Sequence, residues 1–484
     1  MSFPQTILRC GLALTLSVCA SIGTSIGQAQ PDFLINATPV TPATPDPAIA
    51  RALQTIQPSQ IEKTIQTLVG FGTRSTLSSM EKDLPPGQGI NAAADWVAGQ
   101  FEQISQECDG CLEVHRDTFT EPVADRIPQP TTVTNIYAIL RGTDPVQAKR
   151  MVLVTGHYDS RNTNILDARG AAPGANDDAS GVAVSLECAR ALSKLRLPAT
   201  VVFVAVAGEE QGLNGSGHLA KLAKSEGWQL EAVLNNDIVG GNTTPGDALQ
   251  LKDRVRVFSE GVPVAATPEQ SRRIRALGEE NDSPSRQLAR AIADAARTYF
   301  AKAKGNPFAA FLVSRPDRYL RGGDHTSFNR EGFAAVRFTE WREDFNHQHQ
   351  NVAMPAAGSS DPILGDLIQF VDFKYVANVA RLNAATLATL ASSPGLPAKV
   401  AIVTKNLENG TTLRWEAPAG AGGNFHYELL WRETTAPDWQ FTKAIASPAD
   451  GSPVKLTVPI SKDNVFFGVR TVDGAGHRGL VVVP

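Results

Sequence analysis

From residue 131 the chain alternates between two hydrophobic patterns. The runs TVTNIYAIL, MVLVTGHYD, TVVFVAVAG, LEAVLNNDIV and FAAVRFTEW are continuous and rich in β-branched residues. Such runs predict strands buried on both faces. Between them, SGVAVSLECARALSKL, SGHLAKLAKSEG and SPSRQLARAIADAARTYF place apolar residues at helical spacing, the last with Ser283 as its N-cap. The stretch DPILGDLIQFVDFKYVANVARLNAATLATL predicts a closing helix over 361–390. Two helices are predicted upstream. One starts at Ser59 with Glu62 completing a capping box, and the other carries Ala94, Val97 and Phe101 on one face. Strands alternating with helices predict an α/β fold of three layers, a mostly parallel central sheet with helices on both faces. No internal repeat is visible.

After SSPGLPAKV the pattern changes to short strands separated by turns, among them GTTLRWEAP, HYELLWRET, SPVKLTVPI and NVFFGVRTVD. No amphipathic helix interrupts them, so residues 397–484 are expected to form a small all-β sandwich. The Trp of LRWEAP, the aromatics of YELLWR and the segment FFGVRTVDGAGHRG resemble a fibronectin type III module. At the other end, residues 1–29 have one Arg, a short apolar run and the small-x-small triplet Gly27-Gln28-Ala29. They read as a signal peptide cleaved after Ala29, which implies a secreted or periplasmic protein. Lipoprotein anchoring at Cys19 is the second choice, because Val18 is bulky where a small residue is expected. Residues 30–46, rich in Pro, Ala and Thr, are expected to be an extended linker, and 47–394 the main domain.

Composition adds little beyond exclusions. The 484 residues are 42% apolar and 19% charged with a formal net charge of −4, and no basic block appears. That gives no electrostatic basis for a nucleic-acid partner. No stretch of the mature chain predicts a membrane span. Once the leader is removed, three cysteines remain: Cys108 and Cys111, spaced to close a tight disulfide, and Cys188, expected to be a buried thiol.

The chemistry-bearing residues stand at the ends of the predicted elements. His157 and Asp159 follow one strand, Glu209 and Glu210 a second, and Asn236-Asp237 a third. Asp177 and Asp178 precede a helix, which Asp178 is placed to cap, and His347 and His349 follow the last strand. Open α/β sheets bind ligands at this carboxyl edge. So many carboxylates and imidazoles exceed what one tetrahedral ion takes, and suit two ions bridged by a carboxylate. Adjacent residues at a strand end point apart, so one of the paired glutamates can hold metal while its neighbour acts as a base. Asp159, two residues after His157, is placed to orient that imidazole. His218 stands apart from any acidic cluster and receives no role.

In order along residues 50–390, GHYDS, PGANDDASG, AGEEQGLNGS, NNDIVG, GGDHTSFNREGFAAVRFTE and HQHQ resemble the di-zinc aminopeptidases of peptidase clan MH. The resemblance implies two Zn²⁺ ions, with His157 and Asp237 on one, Glu210 and His347 on the other, and Asp177 bridging. It implies Glu209 as general base, supported by Asp159. Asp324, His325 and Arg321 are the expected substrate contacts, with Asp324 as a helix cap the alternative. In FNHQHQN, Asn351 replaces an Asp of the family pattern, and His347 fits the family offset better than His349. The implied activity is removal of N-terminal residues from peptides or proteins. A carboxypeptidase using Arg318 or Arg321, a glutaminyl cyclase, and a non-catalytic receptor-like protein are the alternatives on the same scaffold.

Overall fold

The structure, a computed structural model, describes residues 30–301, 307–405, 407–420 and 424–484. The expected signal peptide, with Cys19, lies outside the described residues. Strand β1 (Thr38–Pro39) and helices α1 (Pro47–Gln54), α2 (Pro58–Gly70) and α3 (Gly89–Glu107) lead into a hairpin of β2 (Leu112–Glu121) and β3 (Thr131–Leu140). Then follow β4 (Arg150–His157), α4 (Ala179–Leu192), β5 (Thr200–Val206), α5 (Asn214–Ser225) and β6 (Gln229–Asn236). After β7 (Arg254–Ser259) come α6 (Pro268–Leu277), α7 (Pro284–Tyr299), β8 (Ala309–Val313), α8 (His325–Arg330), β9 (Ala335–Thr339) and α9 (Phe373–Ser392).

These strands form an eight-stranded sheet in the order β2-β3-β5-β4-β6-β9-β7-β8. Its centre, β5-β4-β6-β9, is parallel, while β2, β3 and the β7–β9 pairing are antiparallel. The buried runs are two-faced, as their period demands. On β4 and β5, Val152, Val154, Val201, Phe203 and Ala205 pack toward the helices α2, α4 and α9. Leu153, Val202, Val204 and Val206 face the opposite layer, which contains Leu219 of α5 and Phe328 of α8. Both neighbours of β4 come later in the chain, so the connections diverge at its carboxyl end, where His157 stands. Gly156 lets the start of α4 approach that end: a Cβ there would collide with the backbone of Gly181.

Several local expectations change. α2 begins at Pro58 with Gln57 as N-cap and no side-chain cap, so the Ser59–Glu62 box does not form; the fixed φ of Pro58 starts the helix two residues earlier. The closing helix starts only at Phe373, capped by Asp372, which leaves 361–372 outside it, with one 3-10 turn at Ile368–Phe370. α6 buries no residue and is started by a capping box between Thr267 and Gln270. Ser283 caps α7 and Asp178 caps α4 through the N–H of Gly181. Cys108 and Cys111 are disulfide-bonded, and Cys188 is a buried free thiol.

The C-terminal residues build two antiparallel sheets. One is β10 (Ala398–Ile402), β11 (Thr411–Glu416) and β14 (Val454–Val458); the other holds β12 (Phe425–Glu433), β13 (Phe441–Ala446) and β15 (Val465–Asp473). The second sheet is completed by β1, which pairs with β13 through Thr38–Thr442 and Pro39–Phe441. Residues 30–46 are therefore not a free linker. Phe33 and Ala37 pack against the sandwich core, and the indole N–H of Trp431 donates to the Phe33 carbonyl at 2.9 Å. The sandwich is tied to the larger domain by buried charge. Arg432 and Arg290 both grip Asp282, at 2.6 and 2.8 Å, and Trp439 donates to Gln287 at 3.1 Å. Among the described residues, no helix is long and apolar enough to cross a membrane.

Candidate metal centre

At the carboxyl edge of the sheet the predicted residues converge into two sets. His157, Glu209 and Asp237 form one, and Asp177, Glu210 and His349 the other; within each set the candidate ligand atoms lie within 4.8 Å of one another. Asp177 faces both sets. Its Oδ1 is 3.1 Å from His157 Nε2 and its Oδ2 is 2.8 Å from His349 Nε2. His349 Nε2 is also 3.0 Å from Glu210 Oε1, and His157 Nε2 is 3.9 Å from Asp237 Oδ1. Ligand atoms at about 2.0–2.1 Å from a tetrahedral zinc are about 3.3 Å apart, which these spacings bracket. His157 Nε2 is fully buried yet has no aligned hydrogen bond. Carboxylate oxygens converging on a buried imidazole nitrogen call for positive charge between them, which a divalent ion supplies. The donor set therefore fits a divalent ion, and Asp177 faces both sets.

Electrostatics point the same way. Burial disfavours charge on His349, yet the carboxylates of Glu210 and Asp177 hold its pKa up at about 10. Burial alone would raise Asp177; His349 and His157 instead hold it well below the usual carboxylate range. Glu209 is different. Burial, reinforced by Asp237, Glu210 and Asp324, pushes its carboxyl well above its ordinary value against the pull of His157. It is the acid of the group best placed to accept a proton.

The structure places each residue through its element. Asp159 is fully buried; its Oδ1 is 3.3 Å from His157 Nδ1, and its carboxylate accepts the N–H groups of Glu209 and Glu210 at 3.3 and 3.2 Å. One side chain thus orients an imidazole and the paired glutamates together. Asp237 is held by Arg337 at 2.7 Å, a guanidinium with no solvent exposure.

Three expectations are corrected. His347 stays out of both sets: it sits in a turn spanning Phe345–His347, stacks on Phe370 with centroids 3.5 Å apart, and turns Nδ1 to Thr244 at 3.2 Å. His349 takes its place because its left-handed backbone, φ 56°, swings the ring into the cavity. Asp324 and His325 are fully buried and do not line the cavity. His325 Nε2 meets the Pro316 carbonyl at 2.7 Å, and burial lowers its pKa. Burial pushes the Asp324 carboxyl up to about 7. Arg321 does line the cavity, on the loop before α8. His218 pairs with Asp117 at 3.1 Å, away from the site.

Other residues that hold the site escaped the sequence reading. Asp366 accepts the N–H groups of Asn176 and Asp177 at 2.8 and 2.7 Å, fixing the backbone of the bridging residue. Arg74, buried, donates to the carbonyls of Tyr158, Pro173 and Gly174, tying the His157 strand to the Asp177 loop. Arg161 pairs with Glu210 at 3.3 Å and reaches His349 Nδ1 at 2.8 Å. Only the position of Arg161, next to the GHYDS run, offered a signal.

Residues 135–361 match peptidase family M28. A probable zinc metalloprotease of Leptosphaeria maculans is 42% identical over 446 residues, covering 92% of this chain and 98% of that protein. The chain belongs to peptidase family M28. A second relative, a probable zinc metalloprotease of Pyricularia oryzae, is 43% identical over 448 residues, 91% of this chain and 85% of that protein. Among solved structures, the Legionella pneumophila LapA aminopeptidase is similar at 20% identity and a TM-score of 0.47, over 71% of this chain and 73% of that one. In this M28 peptidase the family match spans His157, Asp177, Glu209, Glu210, Asp237 and His349, every residue of the two sets.

Proposed function

We propose that this protein is a zinc aminopeptidase that removes residues from the amino end of peptides, with two ions held at the sheet edge. The observation that carries the reading is Asp177, whose two oxygens face one imidazole each, with Glu209 beside the cluster. His157 and Asp237 would hold one ion, Glu210 and His349 the other, and Asp177 both. Zinc bound there supplies Lewis-acid polarisation of the scissile carbonyl and lowers the pKa of water toward about 7. Glu209 accepts the proton of the attacking water and passes it to the departing amine. Asp159 keeps His157 in the tautomer that presents Nε2 and holds the 209–210 backbone in place.

Export by the segment 1–29 belongs to the same proposal. The Cys108–Cys111 disulfide supports it, since such bonds persist in oxidising compartments. The two-sheet C-terminal unit is proposed to be a fibronectin type III-like module.

The deciding assay compares peptides with a free amino end and their N-acetylated counterparts, with metal content measured in parallel. Cleavage confined to free amines and two zinc ions per chain is the expected result. Equal cleavage of acetylated peptides overturns the aminopeptidase reading. Glu209→Gln is expected to keep its zinc and lose at least about 10²-fold in kcat.

A further inference from the structure

Not every positive charge around the active-site cavity has a carboxylate of its own. The cavity, of about 380 Å³, is lined by four acids, Asp177, Glu209, Glu210 and Asp237, and all four belong to the two ligand sets. Four guanidiniums share the lining: Arg126, Arg161, Arg318 and Arg321. Two are committed. Arg161 is taken up by Glu210 and His349. Arg318 is held by Asp317 at 3.0 Å, Glu343 at 2.8 Å and the Gly322 carbonyl at 3.3 Å.

The other two are held less fully. Arg321 reaches Glu343 at 3.1 Å, but that one carboxylate also serves Arg318 and Arg256. Arg126, on the exposed β2–β3 connection, donates one N–H to the Glu210 carbonyl at 3.0 Å. Among the described residues no carboxylate pairs with it. The loop that carries Arg321 makes the same point. It leaves Tyr319 75% and Leu320 91% exposed while Arg318 and Arg321 line the cavity. Hydrophobic burial alone would favour the reverse. A guanidinium with free N–H groups is a planar fork that matches a carboxylate.

We infer that Arg126 and Arg321 receive a substrate carboxylate, so that the enzyme takes peptides carrying a carboxylate within one or two residues of the scissile bond. The inference rests on the aminopeptidase reading above and specifies its substrates. The carboxylate has two sources, the free carboxyl end of a di- or tripeptide and the side chain of an acidic residue.

The test uses the full zinc-loaded protein and three substrates: Leu-Ala, Leu-Ala amide and Leu-Glu amide. Wild type, Arg126→Gln, Arg126→Lys and Arg321→Gln are compared by kcat and KM. Leu-Ala is expected to have a KM at least about tenfold below that of Leu-Ala amide, the scale of one charge-assisted pair. Each Gln variant raises the Leu-Ala KM by about tenfold, with kcat within about twofold, and leaves the Leu-Ala amide KM unchanged. Arg126→Lys recovers part of the loss, since it keeps the charge and loses the fork. Leu-Glu amide distinguishes the sources: a KM as low as that of Leu-Ala shows that any nearby carboxylate serves, and one as high as that of Leu-Ala amide assigns the carboxyl end. Equal kcat/KM for Leu-Ala, Leu-Ala amide and Leu-Glu amide, or Gln variants that slow all three substrates alike, overturns this inference and leaves the aminopeptidase reading standing. If acetyl-Leu-Ala is cut and none of the three free-amine peptides is, both readings fall.

Discussion

Asp366 gives the sharpest test of how the site is held, because it touches the bridging residue only through backbone. Its two oxygens accept the N–H groups of Asn176 and Asp177 at 2.8 and 2.7 Å in a nearly water-free setting. In Asp366→Ala both donors lose their acceptor, at about 1–3 kcal/mol each if they stay buried. The loop can relax instead, and then Asp177 no longer presents one oxygen to each imidazole. Either route weakens metal binding, and loss of a partner of this kind typically lowers metal affinity by about 10–100-fold. Asp366→Asn is expected to behave almost as badly: it keeps one acceptor and sets an amide N–H against the second donor. Burial pushes the Asp366 carboxyl up to about 7, against the pull of the two N–H groups. Only the ionised form satisfies both donors, so metal retention should also fall as pH drops through about 7. The assay is competition for zinc with a chelator across pH 6–8, alongside circular dichroism to verify the fold. A folded Asp366→Ala protein that holds zinc within about twofold of wild type would refute the reasoning.

Other outcomes follow from the same contacts. Burial pushes Glu340 up to about 8, so the fold keeps a proton that the unfolded chain releases above about 4.5. Stability should therefore fall as pH rises from about 4.5 through about 8, by at most about 5 kcal/mol. Glu340→Gln should match wild type in thermal melts at pH 5 and exceed it at pH 8.5; an unchanged difference between the two would sink this account. Arg432→Ala leaves Asp282 with Arg290 and the Gln287 amide and should cost about 3–5 kcal/mol in denaturant unfolding, a loss absent if the sandwich docks only loosely. Replacing both Cys108 and Cys111 by Ser opens a loop of only four residues, so unfolding free energy should drop by no more than about 2 kcal/mol, with kcat unchanged.

What could be read from the chain followed local chemistry, and what could not was tertiary. Continuous runs such as TVVFVAVAG marked the buried parallel strands, because no other local pattern suits a strand covered on both faces. The outer strands gave no comparable signal: β2 and β7 carry mixed polar patterns, and β8 is a run of only five residues. Asp366 was hidden for a related reason. Its stretch has helical periodicity, yet the helix starts at Phe373, and the freed chain folds back to cradle Asp177. The choice between His347 and His349 turned on one residue's φ, which no spacing encodes. β1 was lost to composition: a Pro- and Thr-rich stretch looks like a linker until Phe33 and Ala37 meet the sandwich core.

The excess of acids at the sheet edge also has a physical division that their spacing concealed. Asp177, Glu210 and Asp237 turn oxygens toward the imidazoles or toward one another's sets. Asp159, Asp178, Glu340 and Asp366 instead grip backbone N–H groups. Asp159 takes those of Glu209 and Glu210, and Asp178 those of His157, Gly181 and Ile238. Glu340 takes that of Asn242, and Asp366 those of Asn176 and Asp177. Three of these four hold a residue of the two sets directly, and Glu340 reaches Asn176, next to Asp177, through its side-chain amide. Buried carboxylates are costly, and N–H donors from loop backbone are the partners that make them tolerable. The arrangement answers two needs at once, since the same bonds that solvate the acids fix the loops from which the ligands project. That is why not every acid at the strand ends joins the two sets.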